Sequence, residues 1–121
     1  MTVSVANAQE NEKNDSPVFT TFPVSIFKDK YKPDAVLLDV RSPEEYKDGH
    51  IKGAISMNIE DKNFSEKIKF LKKENNIFVY CAEGGRSREA SEILTRVGFP
   101  YVYNLNGGYK DLVKAGMPGV R

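Results

Sequence analysis

The chain has 121 residues, of which 40% are hydrophobic and 29% charged, with a formal net charge of +1. That length holds one domain whose core needs no disulfide or metal staple, and the near-zero charge excludes a global field for recruiting nucleic acid or a membrane surface. A single cysteine excludes an internal disulfide and a cysteine-based zinc cluster, and no apolar run reaches membrane-span length.

Residues 1–17 read as a polar, disordered segment. Met1 to Val5 is too short for a signal-peptide apolar region, yet Ala6-Asn7-Ala8 before Gln9 has the pattern of a signal-peptidase site. We favour the remnant of a signal-peptide region and an exported or periplasmic protein; the alternative is a cytoplasmic one. The folded domain is expected over residues 18–121.

Val18 to Thr21 reads as a first strand. Pro23 then opens a helix through Tyr31, because proline is favoured in a first helical turn. Pro33 and Asp34 mark a turn. Ala35 to Val40 is a continuous apolar run of strand length, the pattern of a strand buried on both faces. Ser42-Pro43-Glu44-Glu45 is a capping box that opens a short helix, ended by Asp48-Gly49. Ile51 to Met57 reads as a strand and Phe64 to Leu71 as a helix. Ile77 to Tyr80 is a strand and Arg88 to Val97 a helix, with Ala90, Ile93, Leu94 and Val97 on one face. Tyr101 to Leu105 is the last strand. A final helix carries Tyr109, Leu112 and Val113 and stops at Gly116 and Pro118. The alternation predicts an α/β fold with a mostly parallel central sheet of about five strands and helices on both faces. Ligands of such sheets bind at the carboxyl ends of strands, where Cys81 and Asp39-Val40-Arg41 fall.

Cys81 is the reactive candidate. Behind it come Ala82-Glu83-Gly84-Gly85-Arg86-Ser87 and then a helix. Free backbone N–H groups and a helix N-terminus favour negative charge, and a thiol held there ionises easily to the nucleophilic thiolate. Four residues separate Cys81 from Arg86. This is one fewer than in the loop with which cysteine phosphatases wrap a tetrahedral phosphate. The smaller cradle suits a thiolate carrying one extra sulfur. Arg86 is a cation at the unfavourable end of a helix dipole, which points to a substrate anion as its partner. Glu83 either points to water or biases the site away from dianions.

Four motifs in order make the chain resemble a single-domain rhodanese, of the thiosulfate sulfurtransferase family. They are Leu37 to Tyr46 (LLDVRSPEEY), Gly49 to Ala54 (GHIKGA), the loop Cys81 to Ser87, and Leu105-Asn106-Gly107-Gly108 with Gly116-Met117-Pro118. Leu112 stands where that family often has tryptophan, which bears on packing rather than chemistry. The resemblance implies a rhodanese-like fold over residues 18 to 119 and transfer of sulfane sulfur through a persulfide on Cys81. It implies substrate binding by Ala82, Glu83, Gly84, Gly85, Arg86 and Ser87. Asp39 and Arg41 are expected to brace the loop, and His50 to be a hydrogen-bonded structural residue. No metal and no organic cofactor is implied. Expected partners are small anionic sulfur donors and thiol acceptors, a protein thiol among them, acting on a monomer; no nucleic acid and no membrane span is expected. With one cysteine, a persulfide cannot be resolved internally, so its sulfur must leave to an external acceptor. The rival readings are a cysteine phosphatase or arsenate reductase, and a non-catalytic sulfur-carrier or docking module.

Overall fold

The computed structural model describes residues 19–32 and 34–121. The polar segment 1–17, the cleavage-like site, the start of the first strand at Val18, and Pro33 lie outside the described residues. The elements in order are β1 (Thr20–Pro23), α1 (Val24–Lys30), β2 (Val36–Asp39), α2 (Pro43–Asp48), β3 (His50–Ile51) and β4 (Ile55–Ser56). They continue with α3 (Phe64–Lys67), a 3-10 turn (Ile68–Phe70), β5 (Ile77–Tyr80), α4 (Gly85–Arg96), β6 (Val102–Asn106), α5 (Tyr109–Lys114) and β7 (Gly119–Val120).

Five strands form one sheet in the order β1-β6-β5-β2-β4, and every pairing is parallel. Inside the sheet, β5 is buried along its whole length and its neighbour β2 from Leu37 to Asp39, as their unbroken apolar runs require. Along β5, Ile77, Val79 and the following Cys81 face one core, while Phe78 and Tyr80 face the other. The first core is roofed by Phe64 and Ile68 around α3 and by Ala90 and Leu94 of α4. The second is roofed by Phe27 of α1 and Leu112 of α5. Phe78 anchors this second core, with its ring 4.9 Å from those of Phe27 and Tyr103. Leu112 is fully buried there, so an aliphatic side chain fills the position where tryptophan is often found.

Three local expectations differ from the structure. The stretch Ile51 to Met57 is two short strands, because a turn closed by the Ala54 N–H onto the Ile51 carbonyl interrupts it. The first of these, β3, pairs antiparallel with β7, a strand the sequence reading did not contain. The helix after Cys81 begins at Gly85, three residues before Arg88. Gly84 caps it in the left-handed region, at φ 113°, which side chains resist and glycine does not.

Adjacent strands in the sheet deliver the site. The carboxyl ends of β6, β5 and β2 lie side by side, and the segments leaving them carry Gly108, Cys81 and Glu45 respectively. Among the described residues no helix is long and apolar enough to cross a membrane.

Candidate active site

Cys81 directly follows β5, with 1% of its surface exposed. Its chain must turn at once, because α4 starts four residues later. That sharp return aims the unbonded N–H groups of the first helical turn back at the strand end. The Cys81 Sγ accepts hydrogen bonds from Gly84 N–H at 2.9 Å and from Ser87 N–H at 3.3 Å. Burial pushes the thiol pKa up. The Ser87 hydroxyl and the N–H groups of Ser87, Gly84 and Glu83 outweigh it, and the net shift is down. The Ser87 hydroxyl lies 3.0 Å from the Gly84 carbonyl, its other acceptor, so its proton can turn to the sulfur when the thiolate forms. The rate of alkylation by iodoacetamide should therefore rise with pH and level off at a midpoint below that of a free cysteine, about 8.5. Ser87→Ala, which removes the hydroxyl and keeps the N–H, should move that midpoint up. A midpoint at or above the free-cysteine value would contradict this geometry.

A loop from the next strand holds the cysteine from behind. Tyr109 N–H donates to the Cys81 carbonyl at 2.9 Å. Gly108 passes so close that a Cβ there would overlap the Ala82 carbonyl and come 2.8 Å from that of Cys81. The glycine is thus demanded by approach to the Cys81-Ala82 peptide.

Arg86 is not a free anion receptor in this structure. Its Nη1 and Nη2 donate to the two carboxylate oxygens of Glu45, at 2.8 and 3.1 Å. Glu45 is also the capping-box residue of α2: its Oε1 accepts from Ser42 N–H at 3.0 Å, and its own N–H donates to Ser42 Oγ. The Arg86 guanidinium is the chief cause of a Glu45 pKa of about 2, so the pair stays charged across the working range of most enzymes. Both side chains are about one-third exposed, so the pair itself adds at most about 1 kcal/mol to stability. Its consequence is local: it fixes Arg86 beside the cysteine and offsets the charge that the cation presents. The sequence reading found Glu45 as a cap and missed this partner.

Asp39 and Arg41 form a buried pair with side-chain exposures of 0% and 6%. Arg41 Nε and Nη2 donate to the two carboxylate oxygens, at 3.0 and 2.7 Å, and Nη2 also donates to the Gly49 carbonyl at 2.6 Å. Tyr80 donates its hydroxyl to Asp39 at 2.7 Å and accepts from Ile51 N–H. Burial, reinforced by the Asp39 carboxylate, raises the Tyr80 pKa and keeps the phenol protonated as a donor. The guanidinium of Arg41 lies 4.5 Å from the Tyr109 ring centre. The expected bracing of the loop is therefore indirect. None of the hydrogen bonds made by Asp39 or Arg41 ends on residues 82–87; they hold β2, α2 and β3 to Tyr80, the residue before Cys81. His50 Nδ1 lies 2.8 Å from the Tyr46 carbonyl, which can only accept, so that nitrogen carries the proton. Its ring stacks on Tyr46 at 3.7 Å, and no hydrogen bond joins it to the loop among the described residues.

A cavity of about 450 Å³ opens over the sulfur, lined by Glu45, Cys81, Ala82, Glu83, Gly85 and Arg86. Its size is that of a small-molecule site. A larger depression of about 640 Å³ runs along α2 to Arg121 and does not include the cysteine. Among the described residues no cluster of histidine, cysteine and carboxylates could hold a metal.

Residues 24–115 match the Rhodanese-like domain family. The thiosulfate sulfurtransferase PspE of Escherichia coli is 41% identical over 86 residues, which cover 69% of this chain and 77% of PspE. A relative from Schizosaccharomyces pombe is 38% identical over 87 residues, 63% of this chain, and the chain spans 61% of its length. A tRNA uridine(34) hydroxylase of Cytophaga hutchinsonii is 40% identical over 82 residues, 65% of this chain, but the chain spans only 26% of that enzyme. Among solved structures, the rhodanese-like domain of the Anabaena sp. Alr3790 protein superposes with a TM-score of 0.73 at 30% identity. The superposition covers 85% of this chain and 80% of that one. With a parallel five-stranded sheet, a cysteine at a central strand end and a family match over most of its length, the chain belongs to the rhodanese-like domain family.

Proposed function

We propose that the protein is a sulfurtransferase that carries sulfane sulfur on Cys81. The observation that carries this reading is the thiolate cradle: a buried sulfur facing the N–H groups of Gly84 and Ser87 beneath an open cavity. In the first half-reaction the Cys81 thiolate attacks the outer sulfur of thiosulfate. A bond forms between the two sulfurs, the sulfur–sulfur bond of the donor breaks, and sulfite leaves with the electron pair. The persulfide on Cys81 keeps one negative charge, which the N–H groups of the loop, those of Gly84 and Ser87 first among them, stabilise. In the second half-reaction an acceptor attacks the outer sulfur and Cys81 leaves as thiolate. Cyanide would leave as thiocyanate, and a thiol as its persulfide. Arg86 holds an anionic donor with the guanidinium edge that Glu45 leaves open, and Glu83 at the rim opposes a dianion. Sulfurtransferase relatives of about 40% identity support the same reaction class.

The purified protein should turn thiosulfate and cyanide into thiocyanate, should also accept a persulfide donor, and should not cleave an aryl phosphate. Phosphatase turnover that depends on Cys81 would overturn the reaction class. Absence of transfer from both donors would leave the cradle as a docking or carrier device.

A further inference from the structure

A second cavity, of about 430 Å³, lies against the first and shares Glu45, Ala82 and Glu83 with it. Its far wall is built by Tyr109, Lys110 and Asp111, which follow β6. The transfer steps above use none of those three. Most of the charge around this cavity is already matched: Arg41 by Asp39, and Glu45 by Arg86. Asp111 accepts the Gly108 N–H and enters no ion pair among the described residues. Glu83 and Lys110 enter no ion pair among the described residues. The cavity thus pairs an uncommitted ammonium with an uncommitted carboxylate, beside an aromatic wall and next to the nucleophile. Two carboxylates against one ammonium leave its residual charge negative, which disfavours a ligand that is only an anion.

We propose that this cavity seats the body of a zwitterionic thiol, of the amino-acid or dipeptide class, as the sulfur acceptor. Lys110 takes the carboxylate, Glu83 with Asp111 takes the ammonium, and the sulfur reaches past Ala82 to the Cys81 persulfide. The acceptor thiolate bonds to the outer sulfur, the bond from that sulfur to Cys81 breaks, and Cys81 regains its thiolate. The proton that the acceptor thiol gives up passes to the transferred sulfur, so the product is the acceptor's hydropersulfide. The proposal rests on the sulfurtransferase reading and adds the acceptor's chemistry to it.

The test uses four acceptors with thiosulfate as donor: 2-mercaptoethanol, cysteamine, 3-mercaptopropionate and L-cysteine. For each, kcat/KM of a variant is divided by that of the native protein, which cancels the intrinsic reactivity of the thiol. Lys110→Gln should lower this ratio about three- to fivefold for L-cysteine and mercaptopropionate relative to mercaptoethanol, the range of a partly exposed ion pair. Glu83→Gln should lower it similarly for L-cysteine and cysteamine. Equal effects on all four acceptors would overturn the proposal while leaving sulfur transfer intact. A binding measurement separates the two readings further. S-methylcysteine, which cannot react, should shift the backbone amide resonances of residues 82–83 and 109–111 in Cys81→Ser, and unchanged spectra would also overturn it.

Discussion

Cys81→Ser should abolish sulfur transfer, lowering kcat by at least about a thousandfold, the scale seen when an enzyme loses its nucleophile. Cys81 is the only thiol in the chain, and a hydroxyl in its place neither ionises near neutral pH nor bonds to sulfane sulfur. The fold should survive. A serine hydroxyl accepts the Gly84 and Ser87 N–H bonds in place of the thiol, so no donor is left bare and stability should change by about 1 kcal/mol or less. Thiocyanate formation and a thermal melt on the same preparation check both halves. Turnover in the serine variant would remove Cys81 from the reaction, whereas loss of the melting transition would mean that its role is structural.

Gly108→Ala should be the most damaging methyl group in the molecule. The backbone at Gly108 is extended, at φ −144°, so alanine meets no conformational penalty there. The penalty is contact, because the new Cβ would occupy the space of the Ala82 carbonyl. Either the loop after β6 or the Cys81-Ala82 peptide must withdraw, and the Tyr109 N–H bond to the Cys81 carbonyl is then lost. We expect a cost of about 3 kcal/mol or more, and so a fall in melting temperature of at least about 12 °C. Alkylation of Cys81 should also shift to higher pH, because the cradle loses its support. Gly85→Ala is the comparison for stability: nothing lies within 4 Å of a Cβ at that position, and its melting temperature should stay near that of the native protein. If Gly108→Ala melts like Gly85→Ala, the loop behind the cysteine is not packed as described.

Much of this architecture is legible in the residues themselves. The unbroken apolar runs before Asp39 and before Cys81 become β2 and β5, neighbours inside the sheet, because no polar alternation offers either face to water. The capping box at Ser42 appears with both of its reciprocal bonds. Three features escape such reading, for different reasons. β3 and β7 are two residues each, too short for any period to register, and their pairing joins segments far apart in the chain. The start of α4 is hidden because a glycine pair signals a loop, whereas here the first glycine caps and the second is already helical. The Glu45–Arg86 pair spans 41 positions, so no local pattern announces it. A physical signal did exist: a cation at a helix N-terminus needs a compensating anion. The sequence offers a substrate for that role, and the fold supplies Glu45.

The central claim is that Cys81 carries sulfane sulfur covalently. Intact-mass spectrometry of the protein after thiosulfate treatment tests it most directly. The account predicts a gain equal to one sulfur atom per chain, located on the peptide that contains Cys81 and removed by cyanide with release of an equivalent of thiocyanate. An unchanged mass, or an adduct that cyanide does not remove, would contradict it.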